Sequence, residues 1–146
     1  MTRQRRTVRI ERVDGSEAPM PKRATVGSAC FDLAAAETVR VTARSVTLVR
    51  TGWRLRAPPG FFLEVRPRSG LSTKGVLMAN APGTIDRDFS GEVRVPMTYL
   101  FPGSYTIRAG DRIGQIRLVE DVPTRFALGK VAPRRSRIGG FGSTGR

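Results

Sequence analysis

The chain contains no histidine and only one cysteine in 146 residues. The first absence removes the commonest general base and the commonest metal ligand together. With Cys30 alone there is no Cys–His nucleophile and no zinc ligand set, and no disulfide within the chain. A lone thiol fits a reducing cytosol or nucleoid. There is no run of eighteen apolar residues, and Met1 to Ile10 is basic with no apolar stretch behind it. Both observations point away from a transmembrane helix or a secretory signal, so a cytoplasmic protein without a membrane partner is expected. Acidic residues are also scarce: 12 Asp and Glu face 26 Lys and Arg, a net charge of +14. Any chemistry must run on carboxylates, hydroxyls, basic groups and magnesium.

That charge favours polyanions. The basic residues are nevertheless spread along the whole chain without interleaved aromatics, so no dedicated nucleic-acid face is indicated, although secondary nucleic-acid binding stays open. The clusters at Arg3, Arg5, Arg6 and at Arg134, Arg135, Arg137 read as tail charge.

The length suits one domain with a substantial core. Period-two alternation predicts strands within Val39–Val49, Gly52–Leu55, Phe61–Val65, Gly91–Met97 and Gly114–Val119, bounded by turn signals such as "APPG", "FPGS" and "AGDR". The best helical candidate, "DLAAAE", is too short to stand alone. Many short strands at close spacing predict an all-β sandwich or barrel. Residues 1–8 read as a basic disordered tail, 9–128 as the β domain, and 129–146, rich in Pro, Arg and Gly, as a mobile arm.

Several segments could carry chemistry. "RPRSGLSTKG" puts a Ser/Gly turn after a strand, with Arg68 suited to bidentate phosphate contact, Ser69 offering a hydroxyl and Gly70 an accessible N–H. Ser-Gly turns beside Arg are also common on surfaces. In "NAPGTIDRDFSGEVRV" the Pro-Gly turn predicts a hairpin with backbone donors and acceptors at its tip. Asp86 and Asp88 would share a face if they lay on a strand, where one could activate a water or the pair could bind a cation. Both could equally cap the turn. "AGDRIGQ" carries Gln115 into a strand, and "ATVGSACFDLAAAE" sets Asp32 after a small-residue turn. The closing "GGFGSTG" offers glycine N–H groups to an anion, but no helix follows it.

Taken in order, "ATVGSACFDL", "RPRSGLSTKG", "NAPGTIDRDFSGE", "AGDRIGQ" and "GGFGSTG" resemble the five motifs of the trimeric dUTPases and span about Ala24 to Gly145. The resemblance implies a jelly-roll-like β-barrel and a homotrimer whose subunits share active sites under a mobile C-terminal arm. It implies hydrolysis of dUTP to dUMP and pyrophosphate with Mg2+, limiting uracil in DNA and supplying dUMP for thymidylate. Asp86 then matches the water-activating carboxylate. Arg68, Ser69, Gly70 and Gln115 match phosphate contacts, and Asp32 a water-mediated contact to magnesium on the triphosphate. Asn80, Gly83, Thr84 and Ile85 match the hairpin that reads uracil, Phe89 the ring under deoxyribose, and Arg94 a further main-chain contact. Phe141 would cover uracil while Gly142, Ser143 and Thr144 wrap the outer phosphates.

Three positions depart from the family pattern. Phe89 stands where Tyr is usual, Cys30 where Gly is typical, and Ser136 where the arm carries an Arg, a role that Arg137 could take over. A dCTP deaminase of the same fold and a catalytically silent, dUTPase-like binding protein are the competing readings.

Overall fold

The computed structural model describes residues 5–131. The expected arm positions Arg137, Phe141, Gly142, Ser143 and Thr144 lie outside them. Eleven strands and one short helix occupy the described residues. In chain order they are β1 (Arg9–Arg12), β2 (Phe31–Ala34), β3 (Val39–Thr42), β4 (Thr47–Arg50), β5 (Trp53–Arg56), β6 (Phe61–Arg66), α1 (Ser69–Ser72), β7 (Val76–Met78), β8 (Gly83–Ile85), β9 (Arg94–Tyr99), β10 (Ser104–Ile107) and β11 (Arg112–Glu120). A four-stranded sheet runs β2-β11-β6-β8 and a three-stranded one β4-β9-β7; β1 pairs with β5 and β10 with β3. All these pairings are antiparallel. The result is the expected all-β, jelly-roll-like architecture.

Alternation explains why these segments are strands. In β6 and β9 the side chains of Leu63, Val65, Val95 and Met97 turn inward, and their neighbours turn out. They join Leu33, Val41, Val49, Trp53, Ile107, Ile113 and Ile116 in one core. Full burial of each such side chain contributes roughly 2 kcal/mol. Among the described residues the one buried polar side chain, Thr51, donates its hydroxyl to Val93 O at 2.6 Å. Among the described residues no buried side-chain polar atom lacks a partner.

The structure departs from the sequence expectations at four places. The helical candidate "DLAAAE" is instead β2 over Asp32 to Ala34, because a neighbour on β11 supplies the ladder of hydrogen bonds that a six-residue helix cannot sustain by itself. The stretch Val39–Val49 is two strands, broken by a turn in which Arg44 takes φ 64°. The Ser/Gly turn after β6 winds into α1. The expected hairpin at Pro82-Gly83 is a corner between sheets, since β7 pairs with β9 whereas β8 pairs with β6.

The N-terminal segment is tied down from Arg6 onward. Its guanidinium lies 5.5 Å from the centroid of the Phe61 ring, and Val8 packs against the core. Arg12 sits 4.2 Å over the Trp53 ring and donates to Ala18 O at 2.7 Å. Residues 121–131 have no regular secondary structure and are exposed. No helix among the described residues is long and apolar enough to cross a membrane.

Candidate active site

A cavity of about 200 Å³ opens where β2, β11 and the end of β6 meet, lined by Ala24, Ser28, Cys30, Asp32, Arg68, Ser69 and Gln115. Ladder register makes this convergence. Gln115 stands between Asp32 and Arg66 on neighbouring strands, so three polar residues share one row of the sheet. Arg68 and Ser69 follow immediately as the chain turns into α1.

Charge pairing fixes the row. Asp32 accepts from Arg68 Nε at 3.0 Å with one carboxylate oxygen and from Arg112 Nη1 at 3.0 Å with the other. Arg68 Nη1 donates to Arg112 O at 3.2 Å, and Gln115 Nε2 to Pro67 O at 2.9 Å. Beside them, Arg66 donates to Glu64 at 2.5 Å; that hydrogen bond, then the negative charge of Glu64, raises the Arg66 pKa. Arg68 thus brings a permanent cation to the cavity wall, with Arg66 and Arg112 beside it. The backbone N–H groups of Ser69 and Gly70 have no partner among the described residues. An ideal Cβ at Gly70 meets nothing within 4 Å, so that side of the loop is open. Fixed guanidinium groups, a hydroxyl and free N–H donors make an anion site suited to phosphate.

The other expected residues lie elsewhere on the chain. Gly83, Thr84 and Ile85 form β8 against β6, with Ile85 opposite Leu63. Gly83 is a true close approach: a Cβ there would meet Met78 Cε at 2.9 Å and Asn80 Nδ2 at 3.2 Å. Asp86 leaves the sheet after Ile85 and opens a turn in which Phe89 N donates to Asp86 O at 3.1 Å. Asp86 therefore opens a turn that contains Asp88, and the two share no strand face. The Asp86 side chain is exposed and makes no hydrogen bond among the described residues. The Phe89 ring lies against Gly91, where a Cβ would fall 2.8 Å from Phe89 Cζ. Arg94 begins β9 opposite Arg50, 3.7 Å from Glu92.

These residues form two groups, and the register separates them. From Asp32 to Ile85 is three rows and three strand spacings, about 17 Å across the sheet; from Arg66, at the near end of the row, it is three rows and one spacing, about 11 Å. Asp86 does not line the cavity.

Sequence reasoning passed over Arg112, although it lies within the quoted "AGDRIGQ", and over Ser28 and Glu92. Glu92 is an anchor: it accepts from Gly52 N and from Arg50 Nε, and the Arg50 hydrogen bond, followed by the Glu92 charge, raises the Arg50 pKa. A glycine inside a strand, here Gly114, is the signal that could have flagged the bulge that aims Arg112.

The dUTPase family model matches residues 16–145. Among curated proteins, the deoxyuridine 5'-triphosphate nucleotidohydrolase of Finegoldia magna is 39% identical over 142 residues, covering 94% of this chain and 99% of its own. That of Anaeromyxobacter sp. is 43% identical over 144 residues, covering 96% and 98%. Of solved structures, a dUTPase of Staphylococcus bacteriophage 80alpha superposes with a TM-score of 0.78 at 24% identity, over 98% of this chain and 99% of that one. A dUTPase from phage phi11 of S. aureus, described with a structural Mg(II) ion, gives 0.75 at 20% identity, over 86% and 97%. Both likenesses establish the fold.

Proposed function

The chain belongs to the dUTPase family, and we propose that it hydrolyses dUTP to dUMP and pyrophosphate. The observation that carries this reading is the single cavity that gathers Asp32, Arg68, Ser69 and Gln115 from three separate motifs. Arg68, Ser69, the Gly70 N–H and Gln115 bind the phosphates and offset the charge that develops during displacement. Asp86 serves as general base: it takes a proton from the water whose oxygen attacks the α-phosphorus, and pyrophosphate leaves with the electrons of the broken P–O bond. An exposed carboxylate, free of internal partners, suits that task. Asn80 with the backbone of Gly83, Thr84 and Ile85 reads uracil, since fixed donors and acceptors reject a base that leaves them unpaired. Phe89 stacks on deoxyribose, and Arg94 adds a main-chain contact.

Magnesium fits only as an ion carried on the triphosphate. Among the described residues no three His, Cys, Asp or Glu side chains converge, and both Asp32 oxygens already hold arginines. A carboxylate retains lone pairs for a water, so Asp32 can touch such an ion through one, in keeping with the reluctance of magnesium to shed its waters. The ion supplies charge neutralisation at the phosphates.

The separation of about 17 Å between Asp32 and Ile85 favours a composite site, in which the cavity of one subunit meets Asp86 of another. A homotrimer with shared sites has that arrangement. The arm, with Arg137, Phe141, Gly142, Ser143 and Thr144, closes over the nucleotide and excludes bulk water. The protein acts in the cytoplasm. Its net charge of +14 gives it a secondary, salt-sensitive affinity for nucleic acid, which a DNA titration over a salt series tests.

Measuring pyrophosphate and ammonia release from dUTP, dCTP and UTP, with and without magnesium, tests the reading. Pyrophosphate from dUTP alone is expected. Ammonia from dCTP would make the protein a deaminase, and no turnover would leave a silent binder.

A further inference from the structure

A β-bulge aims Arg112 at Asp32. Strand β11 changes step against β2 around Ile113, so that Arg112 stands opposite Ala34 while Gly114 stands opposite Leu33. In a continuous strand, Arg112, three residues before Gln115, would point away from the face that carries Gln115. The extra residue reverses that parity. Arg112 now pairs with Ala34, two residues from Asp32, and shares the face of Asp32 and Gln115. Gly114 makes room for the distortion, since a Cβ there would press on Val65 Cγ1 at 3.1 Å.

The consequence is a closed ring of contacts. Arg68 and Arg112 each hold one oxygen of Asp32 at 3.0 Å, and Arg68 Nη1 also donates to Arg112 O at 3.2 Å. The Asp32 side chain is 15% exposed and that of Arg68 24%, so these contacts are partly shielded from water. Arg112, at 52%, does not line the cavity, whereas Arg68 and Asp32 do. Beyond the through-space attraction of its charge, what Arg112 contributes to a bound anion passes through those two. The ring is built from protein atoms alone, and it orients the remaining N–H groups of Arg68.

We infer that Arg112 is a positioning residue for triphosphate binding: it holds Asp32, and through it Arg68, in the geometry that meets the phosphates. The inference rests on reading the cavity as the phosphate end of a dUTP site. Without Arg112, one Asp32 oxygen loses its partner and the carboxylate is free to swing with Arg68.

The test compares parent, Arg112→Lys, Arg112→Ala, Asp32→Ala and the double variant Arg112→Ala/Asp32→Ala. Steady-state dUTP hydrolysis and calorimetric binding of inorganic triphosphate are measured for each. In Arg112→Ala the KM for dUTP should rise about tenfold while kcat changes less than about threefold. Triphosphate binding should weaken in parallel, and Arg112→Lys should recover most of both. In the double variant, losing Arg112 should add nothing to losing Asp32. An unchanged KM in Arg112→Ala, or additive losses in the double variant, overturns the inference. Should Arg112→Ala fail to fold, Arg112→Gln replaces it with the same expectation. A parent that does not hydrolyse dUTP, yet shows the same coupling in triphosphate binding, would refute the dUTP reading and leave the ring standing. A parent that does neither refutes both.

Discussion

The Glu92 carboxylate accepts a hydrogen bond from the Gly52 N–H at 2.9 Å while holding Arg50 Nε at 3.0 and 3.2 Å. It thereby ties the approach to β9 to the turn between β4 and β5. Gly52 is needed there: its φ is +74°, and a Cβ would fall 1.9 Å from Ser16 Oγ. The Glu92 side chain is only 9% exposed, so its partners would be poorly compensated by water. Glu92→Gln replaces one accepting oxygen with a donor that faces donors. It should lower stability by about 2 kcal/mol, read as a shift in the urea midpoint. An unchanged midpoint would show that solvent satisfies Gly52 and Arg50 equally well.

Asp86→Asn is expected to separate chemistry from folding. The side chain is exposed and makes no hydrogen bond among the described residues, so the melting temperature should hold. Loss of the general base should lower kcat about a thousandfold while a non-hydrolysable dUTP analogue binds as before. A variant that keeps its turnover would move the base elsewhere.

The composite site can be tested by complementation. Asp86→Asn and Arg68→Ala should each be nearly inactive alone. Co-expressed at equal levels, they should recover activity in about a quarter of the sites, those that draw an intact half from each chain. No recovery from a mixed oligomer would mean that each chain completes its own site, and the register argument would fail.

Strands β6 and β9, and β11 from Gly114 onward, were legible because their inward positions alternate and the turns beside them carry Gly, Pro or Asp. The "DLAAAE" segment was not, because a run of small residues has no period and its strand state is imposed by pairing with β11. The grouping of Asp32, Arg68, Ser69 and Gln115 was legible from motif order, and the structure brings them together in one cavity. Arg112 was hidden because alternation counted from Gln115 puts it on the wrong face. Only the bulge, a property of the pairing, brings it round. The corner at Gly83 read as a hairpin for a similar reason: turn chemistry fixes the reversal, and the partner of each strand is chosen by the sheets.

Sugar discrimination is expected to depend on Gly91 as well as Phe89. The Phe89 ring occupies the space that a Cβ at Gly91 would need, with Cζ at 2.8 Å and Cε2 at 3.2 Å. Gly91→Ala must therefore push the ring from its seat. The ratio of kcat/KM for dUTP over UTP should fall several-fold in Gly91→Ala, since a displaced ring no longer excludes the 2′-hydroxyl. Phe89→Tyr, which keeps the ring, should change the ratio by less. Equal discrimination in Gly91→Ala would remove Phe89 from sugar recognition.

Truncation after Ala132 should leave the fold intact and nearly abolish catalysis. The buried core cluster runs from Ala18 to Ile116, with Val8 and Leu118 packed at its edges, so the described core draws nothing from beyond β11. The urea midpoint of the truncated protein should match the parent. The segment removed carries Arg137, Phe141, Gly142, Ser143 and Thr144, whose expected contacts are with uracil and the outer phosphates. Binding energy from such remote groups is best used in the transition state, so kcat should fall by more than KM rises. A truncated protein with full kcat would show that the cavity and Asp86 suffice by themselves. Equal losses in kcat and stability would assign the tail to folding rather than closure.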